Sequence, residues 1–115
     1  MDRGTRGGIT DRSVCQLHRS RVHRSLDLLT QTAKAALAAL TREMAADFAP
    51  RGIRVNAISR GRLTRQSYRA APIVDIPMRW LGQPEEVAKA IYFLCTEQSS
   101  YINGAELSFD GGQRV

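Results

Sequence analysis

In the stretch LLTQTAKAALAAL, residues 28–40, a lone lysine stands among alanines, with a hydroxyl one helical turn before it. Thr30 and Lys34 are four residues apart, the spacing that puts two side chains on one helix face. An ammonium favours the ionised form of an acid beside it. Such a pair exchanges protons with a substrate when the acid can titrate near neutral pH. A threonine hydroxyl is far too weak an acid for that, so Lys34 stands beside no suitable proton donor. Other chemistry-bearing residues are sparse. His18 and His23 lie in an arginine-rich stretch and form no metal-ligand spacing with the cysteines, so no metal site is expected. Cys15 and Cys95 are too few for a disulfide framework and read as reduced thiols of a cytoplasmic protein. Glu85 and Glu86 suit the positive end of a helix dipole better than acid–base work.

The elements that would hold Lys34 follow from periodicity. Ala33, Ala36, Leu37, Leu40, Met44 and Phe48 recur at three- and four-residue intervals, predicting a helix over about 26–49 with that stripe inward. Ser25 is a plausible N-cap. Pro50 and Gly52 end the helix. IRVNAIS, residues 53–59, then alternates as a strand closed by Gly61. Residues 60–76 read as loop, with room for a short helix near 65–70. Pro84, Glu85 and Glu86 open a second helix whose stripe is Val87, Ala90, Ile91 and Leu94. Asn103-Gly104 predicts a turn before a strand over 105–109. Trp80 and Tyr101 read as packing residues. Helix, strand, loop, helix, strand is an α/β order favouring parallel pairing. Two strands are too few for a doubly wound sheet, so the pattern reads as the last part of something longer.

Charge and hydropathy exclude several classes. The net charge is +6 over 115 residues. Residues 1–24 hold six Arg against two Asp, or +4; residues 60–69 hold four Arg, another +4; the remainder, seven basic against nine acidic, is −2. The basic excess is confined to two short segments, neither with interleaved aromatics or a base-reading motif, so nucleic-acid binding is not expected. No apolar run approaches the roughly 18 residues of a membrane span. The N-terminus lacks the apolar core of a secretory signal. Residues 1–25 read as an irregular, disordered basic segment.

AKAALAALTREMAADFAPRGIRVNAIS, followed by RWLGQPEEVAKAIYFLCTEQSSYINGAELSFDGG, resembles the C-terminal part of short-chain dehydrogenase/reductases over about residues 30–59 and 76–112. The likeness is greatest to bacterial 3-oxoacyl-acyl-carrier-protein reductases and to sugar and alcohol dehydrogenases. It implies that residues 26–115 are the C-terminal portion of a Rossmann-type, doubly wound parallel α/β sheet, without the N-terminal nucleotide-binding half. It also implies hydride transfer between NAD or NADP and an alcohol or carbonyl. Family enzymes carry Tyr-x-x-x-Lys on the helix matching 26–49, with a serine about thirteen residues before the tyrosine. The lysine lowers the tyrosine pKa and hydrogen-bonds the nicotinamide ribose.

Carried over by position, Lys34 matches the family lysine and Thr30 occupies the place of the tyrosine. The serine position falls at Leu17, with Ser13 and Ser20 the nearest serines. A family Pro-Gly after the strand is Arg60-Gly61 here. Leu63 falls where a backbone contact to the nicotinamide carboxamide is expected, and Thr64 stands one residue before the family threonine position, Arg65. GTRGG at 4–8 follows no strand and opens no helix, so it has no cofactor role. The departures coincide with the arginine-rich segments, so residues 1–29 and 60–72 read as frame-altered or drifted sequence. The resemblance thus implies a truncated, inactive oxidoreductase. The alternative is a homo-oligomeric module associating through the 26–49 helix and the C-terminal helix and strand.

Overall fold

The computed structural model describes residues 13–19, 27–64 and 73–113. It contains strand β1 (Ser13–Arg19), helix α1 (Asp27–Phe48), strand β2 (Arg54–Arg60), helix α2 (Pro84–Cys95) and strand β3 (Glu106–Phe109). Short 3₁₀ turns lie at Ala49–Arg51, Ile73–Asp75 and Glu97–Ser99. The strands form one parallel sheet in the order β1-β2-β3, with Ser13 opposite Arg54 and Ala57 opposite Glu106. This is the expected α/β architecture with one more strand than periodicity predicts.

β1 corrects the reading of residues 1–25 as irregular. Its seven residues pair one for one with β2. Strand formation depends on the partner edge more than on intrinsic preference, and SVCQLHR hides its alternation behind polar residues. The Ser25 cap and the short helix near 65–70 lie outside the described residues.

β2 is the core. Val55, Asn56, Ala57, Ile58 and Ser59 are each at most 1% exposed. A run buried on odd and even positions alike needs cover on both faces. α1 and α2 both pack on β2 and contribute to that cover.

α1 turns a different face inward from the expected one. Thr41 and Ala45 are buried, and Lys34, Ala38 and Phe48 are half-buried. Spaced 4, 3, 4 and 3 apart, these five share one helix face. The predicted stripe is largely outward: Ala33, Ala36, Leu37 and Leu40 are exposed. Apolar period alone could not choose, because alanines surround the helix. Small side chains at Ala38, Thr41 and Ala45 let the backbone approach the sheet, and the Thr41 hydroxyl is satisfied by the Leu37 carbonyl at 2.8 Å.

The punctuation holds. Gly52 takes φ 73°, donating its N–H to the Ala49 carbonyl at 2.9 Å. Gly104 takes φ 75° in the turn before β3. At α2, the Gln83 N–H donates to Glu86 Oε2 at 2.8 Å, so Glu86 caps the helix. Tyr101 departs from its expected packing role and is fully exposed; Trp80 is half exposed.

The amino ends of the strands are cross-bonded. Asn103 accepts from the Val55 N–H and donates to the Ala45 carbonyl, both at 2.9 Å. Asn56 donates to the Ile102 carbonyl at 3.1 Å and accepts from the Ala105 N–H at 3.0 Å. Arg54 reaches the carbonyls of Ile102, Leu94 and Thr96 and the Ser13 hydroxyl at 2.8–3.3 Å.

Candidate functional site

The opposite end, where the parallel strands finish, is where open α/β sheets bind ligands. α1 runs antiparallel to its flanking strands, so its first turns lie there. The Ile53 N–H donates to the Phe48 carbonyl, which levels the end of α1 with the start of β2. Counting back 14 residues from Phe48 to Lys34 spans about 21 Å of helix. Counting on 7 residues from Ile53 to Arg60 spans about 23 Å of strand. Lys34 therefore stands level with Arg60 and Gly61. It belongs to the inward face of α1, and its Nζ is buried from solvent. A lysine reaching for water would not be placed so, because burying an ammonium is costly.

The chain after β2 is held in a defined shape. Gly82 donates to the Arg62 carbonyl at 3.2 Å, and Thr64 N–H donates to the Gly82 carbonyl at 3.0 Å, making a parallel bridge between Leu63 and Gly82. In that pattern the N–H and C=O of Leu63 itself point to the other edge. Thr64 is committed elsewhere: its hydroxyl donates to Gln83 Oε1 at 2.9 Å. Gly61 is required by packing, since a Cβ there would lie 3.0 Å from the Asp110 backbone. Lys34, Gly61 and Leu63 are thus gathered at one end of the sheet.

Other expected positions fare differently. Thr30 lies one turn before Lys34 in α1, while its side chain is outside the described residues. Leu17, the residue at the family serine position, lies in β1 opposite Ile58, toward the carboxyl end of the strand. Ser13 opens β1 at the far end and bonds Arg54, so it takes no part in this site. Ser20 and Arg65 lie outside the described residues.

The sequence reading also missed a feature. Beside the Leu63 loop is a cavity of about 300 Å³ whose lining includes Arg62, Met78, Trp80, Phe109, Asp110 and Gly111. Arg62 Nη1 and Asp110 Oδ2 are buried there without a hydrogen-bond partner among the described residues. Asp110 Oδ1 accepts from the Gly112 N–H at 3.0 Å. The sequence offered no distinctive signal for them: Asp110 directly follows β3, and Arg62 stands two residues after β2.

Comparison with known proteins agrees with this fold. The family model described as enoyl-(acyl carrier protein) reductase matches residues 17–114. The chain belongs to the short-chain dehydrogenase/reductase family. The match takes in residues 60–69 and only the end of the arginine-rich segment 1–24, reaching beyond the two blocks that carry the resemblance in the sequence. Protein FixR of Bradyrhizobium diazoefficiens is 46% identical over 107 residues, covering 90% of this chain and 38% of the relative. Glucose 1-dehydrogenase 2 of Bacillus subtilis is 33% identical over 111 residues, covering 90% and 43%. A solved short-chain dehydrogenase/reductase from Serratia marcescens superposes with a TM-score of 0.80 at 28% identity, covering 90% of this chain and 46% of that one. The chain therefore spans less than half the length of these relatives. Among the described residues no helix is long and apolar enough to cross a membrane, and no cluster of potential metal ligands occurs.

Proposed function

We propose that this chain carries the nicotinamide-side half of an NAD(P)-dependent oxidoreductase site and is inactive by itself. The observation that carries the reading is the inward, buried Lys34 level with Gly61 at the carboxyl ends of the strands. Its ammonium is a donor suited to ribose hydroxyls. The outward N–H and C=O of Leu63 suit a carboxamide, which needs one donor and one acceptor. These residues fit a nicotinamide nucleotide, which when bound supplies a hydride acceptor or donor. Proton exchange with an alcohol or carbonyl requires a titratable acid beside Lys34, and Thr30 is not one.

Titration of NADH and NADPH fluorescence with the purified chain tests this. No saturable binding is expected, because two contacts to one end of a dinucleotide do not replace a phosphate cradle. Saturation at micromolar cofactor would defeat the claim of inactivity. Thr30→Tyr should restore no turnover, for the same reason; measurable NAD(P)H oxidation by that variant would overturn it.

A second reading rests on the outward face of α1. Leu29 is 86% exposed and Leu40 is 48% exposed, with Ala33, Ala36 and Leu37 on or beside the same stripe. This strip, with the two edge strands, suits association with a second copy or a longer relative. Light scattering across a concentration series should show a dimer that Leu40→Glu weakens at least tenfold while leaving the circular dichroism unchanged. A monomer at every concentration would sink the assembly reading.

A further inference from the structure

Cys15 and Cys95 are the only cysteines in the sequence, and the fold brings them together. Side chains alternate between the two faces of a strand. Ser13 fixes which face of β1 meets α2: its Oγ accepts from Arg54 Nη2 at 3.0 Å, and that same nitrogen donates to the carbonyls of Leu94 at 2.8 Å and Thr96 at 3.3 Å. Those carbonyls flank Cys95. Cys15 is two residues beyond Ser13 and so faces the same way. On α2, Val87 and Leu94 are buried, and Cys95 follows at the edge of that stripe, one turn beyond half-buried Ile91. α2 packs directly on β1. The Cys15 thiol is consistent with this placement: burial pushes its pKa up, and a charge on Cys95 pushes it further. Both residues are partly accessible, and neither is in a disulfide.

We propose that Cys15 and Cys95 form a dithiol modification site that a hydroperoxide converts to a reversible intrachain disulfide, clamping the last turn of α2 to β1. One thiolate attacks the peroxide, breaking the O–O bond and leaving a sulfenic acid and an alcohol, or water from hydrogen peroxide. The second sulfur attacks the sulfenic sulfur and expels water. Two thiols and one hydroperoxide thus give one disulfide, one alcohol and one water. A disulfide needs its Cα atoms about 4.4–6.8 Å apart. α2 ends at Cys95 and the chain leaves it extended at Thr96, φ −99° and ψ 168°, so the approach asks movement only of a helix end. The pairing is reversible because a thiol reductant restores both cysteines.

The test treats the purified chain with hydrogen peroxide, blocks remaining thiols with N-ethylmaleimide, and reads the intact mass and a non-reducing peptide map. The same reaction is run in concentrated urea. Expected is a species two hydrogens lighter, unalkylated, with the peptides of Cys15 and Cys95 joined and separated again by dithiothreitol. With dimedone added as competitor, the ratio of disulfide to dimedone adduct should be at least about tenfold higher folded than unfolded, since the fold raises the effective concentration of one thiol at the other's sulfenic acid. Cys15→Ser and Cys95→Ser should each abolish it and leave a dimedone-reactive sulfenic acid on the remaining cysteine; Cys15→Ala and Cys95→Ala replace them should serine disturb folding. An equal ratio of disulfide to dimedone adduct in buffer and urea would overturn the proposal. So would disulfide-linked dimers as the main product, or sulfinic acid on one cysteine with the other untouched.

Discussion

At the amino ends of the strands, Arg54, Asn56 and Asn103 reach backbone groups from the α1, α2 and pre-β3 segments, and each polar contact is closed at 2.8–3.3 Å. At the carboxyl ends, Arg62 Nη1 and Asp110 Oδ2 are buried with no hydrogen-bond partner among the described residues, and Lys34 brings an ammonium inward from α1. Arg79, near the same end, holds φ 66°, a conformation costly for a residue with a Cβ. Buried polar groups are normally satisfied because leaving one unmade costs about 1–3 kcal/mol. One end therefore holds the sheet together, and the other carries groups that folding alone does not explain. Buried polar groups beside a cavity are what a binding end would carry, in keeping with the function proposed above.

The largest expected effect lies at the closed end. Arg54→Met removes four hydrogen bonds from a charged donor and leaves the Ile102, Leu94 and Thr96 carbonyls to find water. A loss of about 3–5 kcal/mol is expected, since bonds to charged groups contribute roughly 1.5–3 kcal/mol each and are not additive. In a chain with so small a core this amounts to unfolding. Thermal melts followed by far-UV circular dichroism read it, and a melting curve like that of the parent would break the contrast between the two ends.

Next comes Gly111, which follows β3 at the open end. It takes φ 63°, and a Cβ there would lie 2.7 Å from Ile76 Cγ2. Gly111→Ala should cost about 1–3 kcal/mol, from the left-handed conformation and from displacement of buried Ile76. Urea titration measures it. A loss below that of a surface Gly→Ala change would show that the Ile73–Asp75 turn yields freely, and that the cavity wall is soft.

The same contrast explains what the sequence made legible. α2 was readable to its first residue because Pro84, Glu85 and Glu86 are local signals of a helix start, and Glu86 caps as its position predicts. Gly52 and Gly104 announced their turns because left-handed backbone selects glycine. β1 was not readable: its hydrogen bonds come from β2, some 40 residues away, and no local pattern reports a distant edge. The inward face of α1 was misread because alanine stripes on either side look alike. The helix had to be docked before Lys34, Ala38, Thr41 and Ala45 could be seen as the face that meets the sheet. For the site, Lys34 stood out by its spacing from Thr30, its cofactor role came only through resemblance, and its depth only through the fold. Arg62 and Asp110 gave no signal, because an arginine and an aspartate after strands are ordinary until their surroundings are known.

The smallest expected effect is the most discriminating. Arg62→Met removes a guanidinium whose Nη1 is buried beside the cavity and replaces it with an apolar chain of similar reach. At the closed end the equivalent change unfolds the protein. Here no hydrogen bond to the side chain is lost among the described residues, and a donor unsatisfied among them is removed, so stability should be unchanged or rise by up to about 1 kcal/mol. Paired urea titrations of the parent and Arg62→Met resolve that difference. A gain places Arg62 among groups kept at the expense of stability, as binding residues often are. A loss above about 2 kcal/mol would mean that the guanidinium has a structural partner, and the carboxyl end would then be a second brace rather than an open site.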